Sequence, residues 1–453
     1  KDHRLRPDYA FYNVLTGRLG SRNPSLQVIP QHSNIAKHIK RAFIAPPGCL
    51  LIHYDYNAQE VRTWGIAAHD NNIADTFRVG QKLRQLYIQD PTPENKDRIK
   101  KEGDVHCLNV KRFFGRQVDK KHPLRALVKG VVFATIYMMS AKSMGEQIKG
   151  ADIIDAKTKI HDAWLKTQDN KLSAKEKAAA NKDLATASKA LQTILEEDRT
   201  ELAQSTMDKV FSEFKNGKRW LDDAVNMATH YGYAISPVGR VRHVPSALIT
   251  DKKTASRSIR QSCNAPIQGF ASELAIVASR LAMQSYYDHY KEIADMLGIE
   301  EKASNNRIQY LRVVHDTNYY AIPYKFVIPF LHIMQYEATY GTAAAIKRNF
   351  NFEFNIEPEI EMEVGICDST SYPWDWSIPS LLQAISSAIK EGRENGFIKE
   401  DYNDVMEQIL HPWRDENCRH HLNTHFPLLG VKELDDVIGK ALNDYDEQSS
   451  KNS

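Results

Sequence analysis

The stretch CLLIHYDYNAQEVR, residues 49–62, decides how this chain is read. It follows the Pro46-Pro47-Gly48 turn and opens with an apolar run, which predicts a strand within 41–56 and a helix over 59–69. Asp55 stands at the end of that strand. A second stretch, YLRVVHDTNYYAIP at 310–323, reads as a hairpin whose turn carries His315 and Asp316. Two aspartates from distant strands can hold two Mg²⁺ ions about 3.5–4 Å apart, an arrangement that supports in-line phosphoryl displacement. Taken singly, each has a plainer reading: Asp55 as the cap of the following helix, His315-Asp316 as a turn pair.

Between them, Arg125, Lys129, Phe133 and Tyr137 recur every four positions within a helix predicted over 124–149. Four helical steps turn about 400°, so the four side chains share one face over ~18 Å of axis. Arg and Lys suit phosphate oxygens, while Phe and Tyr suit a sugar face and a base. By itself this row is equally an amphipathic helix with a basic first turn. With the aspartates it points to nucleotide polymerisation.

The rest of the chain frames that reading. With 453 residues, 42% hydrophobic and 26% charged, it has the composition of a globular protein with more than one domain. Residues 378–453 hold 8 basic and 14 acidic residues, net −6, which leaves the body at +9. A mildly basic body permits a polyanionic partner. The five cysteines are scattered without a CxxC pair, as expected of reduced thiols in a cytoplasmic compartment. No apolar run approaches the ~18 residues of a membrane span, and the first residues lack a signal core.

Along the chain, 1–34 reads as a turn-rich lead-in and 104–114 as a helix capped by Asp104. Residues 151–205, rich in Ala, Lys, Asp and Glu, read as a solvated helical hairpin inserted between working parts. A strand-turn-strand follows from Tyr231, then a helix over 256–287 interrupted near Pro266. Beyond the hairpin at 310–323, 326–349 is helical and 352–365 alternates as a half-buried strand. The tail after 377 has helical periodicity. It carries His411, Cys418, His420, His421 and His425. One cysteine and irregular spacing make zinc the lesser reading there, against a small helical addition that packs on the core or docks a partner protein.

In their order, these motifs resemble those of the polymerase module of family A DNA polymerases, the bacterial DNA polymerase I type and its phage relatives. DYNAQEVR at 55–62 is similar to the family's DYSQIELR. Arg125, Lys129, Phe133 and Tyr137 match its RxxxKxxxFxxxY helix, and Val314-His315-Asp316 its VHDE motif. TGRL at 16–19, DVH at 104–106, GRVR at 239–242 and NAPIQG at 264–269 add support. The resemblance covers roughly 11–376 apart from the insertion. It implies an α+β fold: a palm with an antiparallel sheet at 1–100 and 231–377, mainly helical fingers at 101–230, and an acidic helical extension at 378–453.

The same resemblance implies roles. Asp55, Asp316 and the Tyr56 carbonyl would bind two Mg²⁺ ions, with Mn²⁺ as a substitute. His106, Arg125 and Lys129 would grip a deoxynucleoside triphosphate, with Lys129 as general acid toward pyrophosphate and Tyr137 lining the base site. Glu60 would exclude a ribose 2′-OH, which argues against an RNA-synthesising relative. Phe133 would discriminate against sugars lacking the 3′-OH. Arg18, Arg260, Asn264, Gln268 and His315 would contact the primer-template DNA. The expected setting is DNA replication in the cytoplasm of a bacterium or a phage-infected host.

There are departures. Thr317 stands where the family usually has a third carboxylate, Met138 replaces a frequent Gly, Val132 a frequent Asn, and Ala58 the usual Gln. Only 15 residues precede Thr16, too few for the family's thumb and proofreading exonuclease, so a separate chain or a processivity factor is an expected partner. Thr317 and the missing thumb also motivate the alternative of a non-catalytic DNA-binding replisome subunit.

Overall fold

The computed structural model describes residues 4–10, 14, 16–29, 34–169, 171–249, 251–300, 307–314, 316–375, 377–428 and 433–452. His315 lies outside them. The chain is α+β. Its main sheet has five antiparallel strands in the order Gln309–Val314, Thr317–Pro323, Cys49–Tyr56, Ile360–Cys367, Thr370–Trp374. The central strand is the one quoted first. It begins at Cys49, because Gly48 at φ +75 closes the turn that delivers it.

Alternation on that strand sorts its side chains. Leu50, Ile52, Tyr54 and Tyr56 are fully buried or nearly so, each apolar side chain stabilising the fold by about 1.5–3 kcal/mol. Tyr54 donates to the Ala275 carbonyl at 3.1 Å, which pins this face onto the helix Lys252–Met296. His53 and Asp55 point to the opposite face. That long helix runs through Pro266 without the interruption expected from sequence. Proline removes one donor, but Ser262, Cys263, Ile267 and Phe270 are all buried, and packing holds both flanking turns.

The strand expected over 352–365 is confined to Ile360–Cys367. Upstream, the carbonyls of Asn355 and Glu357 accept from the Arg78 and Arg62 side chains and not from a neighbouring strand. Arg62 and Arg84 also converge on Glu359, with Arg62 Nη2 to Glu359 Oε2 at 2.9 Å and Arg62 only 2% exposed. The trio ties the helix Gln59–Ala68, which follows Asp55, to the start of the neighbouring strand.

The helix expected over 124–149 is two helices, Pro123–Ile136 and Ala141–Gln168. The break falls at Met138, whose φ of +51° is left-handed. A glycine occupies that conformation without strain, whereas a side chain costs roughly 1–2 kcal/mol. Met138→Gly is therefore expected to be more stable than Met138→Ala by about 1 kcal/mol in denaturant unfolding. Both variants lose the side chain beyond Cβ, and the greater freedom of Gly in the unfolded chain works against the expected difference, so a more stable Gly variant reads strain at positive φ; equal or lower stability of Met138→Gly would count against it.

The second of these helices pairs with Ala174–Glu196 as a mostly exposed hairpin, with only Ala156, Ala163 and Ala180 buried among its described residues beyond position 150. This matches the hairpin read from charge pattern, although it starts earlier, at Ala141. The tail folds into helices Ile378–Glu394, Tyr402–Arg414, Glu416–His425 and Leu434–Asn452, whose apolar faces join the main core. All five cysteines are free and buried. Among the described residues no helix is long and apolar enough to cross a membrane.

Candidate active site

Strand register brings the acids together. Asp55 pairs with Glu361 across one ladder, and Tyr54 pairs with Asn318 across the other, so Asp55 lies level with Thr317 and beside the turn bearing Asp316. The Thr317 side chain, level with Asp55, favours the ionised carboxylate. The Asp55 side chain is exposed to solvent at the strand end, although protein atoms crowd around it. Its confinement, then the charges of Asp316 and Glu361, push its pKa up to about 7. The groups that bear most on this carboxylate are two acids, a hydroxyl and an amide, and no cation is among them.

That is an environment fitted to a bound cation. Its donors are all oxygens, which is what Mg²⁺ takes together with water and substrate oxygens. The Asn57 amide donates to the Glu359 carbonyl at 2.9 Å, so by ladder alternation the Tyr56 carbonyl points the other way, toward the Asp316 turn. Neither Glu361 nor the influence of Thr317 on Asp55 was singled out from sequence. The alternation of acids at 359, 361 and 363 was visible, but which acid would oppose Asp55 depends on register.

The row Arg125, Lys129, Phe133, Tyr137 holds as expected: three residues on the helix Pro123–Ile136 and Tyr137 as its C-cap. Val128, Val131, Val132 and Thr135 bury the opposite face. Phe133 and Tyr137 stack with ring centroids 6.5 Å apart, and His106 leans on Phe133 at 6.1 Å. Burial lowers His106 to about 4, so its imidazole is neutral at neutral pH, and its buried Nδ1 has no partner. Asp104 caps the helix Val105–Phe114 as read from sequence. It also takes the Nε–Nη2 edge of Arg125 in a fork at 2.8 and 2.7 Å, a pairing that sequence spacing did not reveal. Burial raises the Asp104 carboxyl, but the Arg125 fork and the Cys107 amide outweigh this and hold it well below the usual carboxylate range. Lys129 is exposed, with no ion pair among the described residues.

A polar network joins the acids to this row. Glu60 Oε1 accepts from Arg18 Nη2 at 3.1 Å and from Gln268 Nε2 at 3.4 Å. Gln268 also donates to the Tyr137 hydroxyl at 3.2 Å, and the Glu60 carboxylate nearby raises the Tyr137 pKa after burial does. Gly269 permits this approach, since a Cβ there would lie 2.7 Å from the Thr16 carbonyl oxygen and push away the loop carrying Arg18. Asn264 and Gln268 sit one and two turns past Arg260 on one face of the long helix. Arg260 and Asn264 line a cleft of about 1060 Å³ that ends at Tyr137, and the buried Asn264 Oδ1 is unpartnered. A second open cleft of about 700 Å³ is lined by Arg18, Tyr56, Ala58, Gln59, Glu60, Phe133 and Asp316.

The structure resembles the POL domain of Pol1 from M. smegmatis, solved in complex with DNA primer-template and dNTP, with a TM-score of 0.56 and 20% identity over 82% of this chain and 49% of that one. At this identity the likeness speaks to the fold. The sequence is 25% identical over 278 residues to DNA polymerase I of Chloroflexus aurantiacus, covering 61% of this chain and 22% of that protein. It is 24% identical over 291 residues to the thermostable DNA polymerase I of Thermus aquaticus, covering 64% and 26%. The chain thus spans about a quarter of the length of these relatives. The pattern shared by DNA polymerase family A matches residues 1–168 and 185–325, leaving out the tip of the exposed hairpin. A match over that much of the sequence shows that the chain belongs to DNA polymerase family A.

Proposed function

We propose that this chain adds deoxynucleotides to a primer 3′-end under the direction of a template strand, acting in DNA replication in the cytoplasm of a bacterium or phage-infected host. On this reading 1–100 and 231–377 make the palm and 101–230 the fingers. The observation that carries it is the cleft lined at once by Asp316 and Tyr56 on the sheet, and by Glu60 and Phe133 beside the cationic helix.

Each residue has a task there. Arg125 and Lys129 bind the triphosphate oxygens, and the neutral His106 donates a hydrogen bond to them. Phe133 and Tyr137 face the sugar and base. The primer 3′-oxygen forms a bond to the α-phosphorus while the α–β bridging bond breaks, and the charge leaves with pyrophosphate. Lys129 supplies a proton to that leaving group. Asp55, Asp316 and the Tyr56 carbonyl would hold two Mg²⁺ ions, or Mn²⁺ in their place, and such a site would supply a lowered 3′-hydroxyl pKa and positive charge at the reacting phosphate. Arg18, Arg260, Asn264 and Gln268 contact the minor groove, where acceptors common to all base pairs report pair geometry without reading sequence.

Glu60 sets the sugar choice. Arg18 and Gln268 hold its carboxylate, so it cannot swing aside for a 2′-hydroxyl without stranding those donors. Glu60→Ala is expected to raise ribonucleotide use relative to deoxynucleotide use on the order of 10- to 100-fold in primer extension. An unchanged ratio would mean that the sugar sits elsewhere. The reading as a whole is tested by Mg²⁺-dependent primer extension and by dNTP binding to the chain; absence of both would overturn it.

A further inference from the structure

We propose that His289, His421 and His425, with Glu292, form a binding site for a zinc-type divalent metal that fastens the C-terminal helices to the long helix Lys252–Met296. The sequence showed histidines in the tail, but their grouping with Cys418 is not what the fold assembles. Cys418 is fully buried among apolar side chains. The partners come instead from a helix more than 100 residues upstream.

His289 and Glu292 are three positions apart near the end of the long helix, and His421 and His425 are four apart on Glu416–His425. Both spacings put a pair on one helical face. The faces meet. His289 Nδ1 lies 3.1 Å from His421 Nε2, and one ligating atom each from His289, Glu292 and His421 all fall within 4.8 Å of one another. The His425 ring centroid is 4.5 Å from that of His421 and 5.0 Å from that of His289.

Tetrahedral zinc with Zn–N bonds of about 2.0–2.1 Å places neighbouring ligand atoms about 3.3 Å apart. The first two imidazoles already stand near that separation, and Glu292, exposed at its tip, can swing in. Glu292 Oε1 also lies 3.7 Å from His421 Nδ1, where a carboxylate would orient the ring if it does not ligate directly. Phe426 packs against His289 with centroids 4.9 Å apart and screens the inner side.

Three imidazoles and one carboxylate select zinc, cobalt or nickel over Mg²⁺, which prefers oxygen. The cluster begins 21 residues beyond Gln268, about 30 Å along the helix, so it is separate from the carboxylates at Asp55 and Asp316.

The test uses the untagged chain freed of metal by chelator. Added Co²⁺ should give the visible absorption of a tetrahedral site at one equivalent, displaced by Zn²⁺, and Zn²⁺ should raise the melting temperature. His289→Gln and His425→Gln should each weaken Zn²⁺ binding by at least about 100-fold with the circular dichroism spectrum unchanged. Asp55→Asn/Asp316→Asn should bind Zn²⁺ like the parent. No tetrahedral cobalt spectrum, or full zinc affinity in the two histidine variants, would overturn the proposal.

Discussion

Asp55→Asn is expected to lower the rate of Mg²⁺-dependent primer extension by roughly 10³-fold or more, about 4 kcal/mol of transition-state stabilisation. On the proposed reading the amide keeps the shape but loses the charge that would hold the metals. Extension within tenfold of the parent would remove Asp55 from the metal site. The variant also carries an internal check on folding. In the folded protein Asp55 has its pKa raised from 3.8 to about 7, so it retains a proton that the unfolded chain releases. Stability from the protonated form is present below about pH 4 and is lost as pH rises through 7. Asparagine is spared that loss. In EDTA, the variant should melt above the parent at pH 8 and together with it near pH 4. A variant that is inactive yet melts higher cannot be dismissed as unfolded.

The largest expected effect on stability comes from Glu359. Its carboxylate lies between Arg62 and Arg84, with side-chain exposures of 4%, 2% and 16% respectively. Burial pulls Arg62 down to about 10 even with Glu359 supporting its charge. Glu359→Ala leaves that guanidinium buried without a counter-charge, for an expected loss of 3–5 kcal/mol, roughly as measured for broken buried pairs. The double variant Arg62→Met/Glu359→Ala removes the stranded charge and should recover most of the loss. Denaturant midpoints decide it: a Glu359→Ala loss under 1 kcal/mol would mean that water reaches the trio.

The sequence made some of this architecture legible for identifiable reasons. Apolar strands ending in Asp55 and Asp316, a four-residue period from Arg125 to Tyr137 and an Asp104 cap are local patterns, and each appears where it was read. The breaks were harder. Methionine is a good helix former and gives no stop signal at 138; the signals there were Ser140, which caps the next helix, and the frequent Gly that Met138 replaces. Pro266 carried the opposite error, a local breaker overruled by burial on both sides. Pairings across the chain were out of reach. Glu361 opposite Asp55, Asp104 under Arg125 and His289 beside His421 all depend on register or helix placement, which no spacing rule encodes. The departure at Thr317 also takes on physical content, because its side chain favours the ionised Asp55 carboxylate, whereas the charge of a glutamate there would oppose it.

The Asp104–Arg125 fork has a consequence for which ligands the cationic row accepts. Without substrate, Arg125 already has its anion, so the pocket is not an open counter-ion trap. An incoming group must exchange with Asp104 or share the guanidinium with it. A singly charged phosphate gains little from that exchange, because it replaces one anion with another of similar charge. A triphosphate brings several charges to Arg125, Lys129 and His106 together and wins the competition. On the proposed reading, the fork is a threshold that keeps abundant small anions from occupying the nucleotide's place.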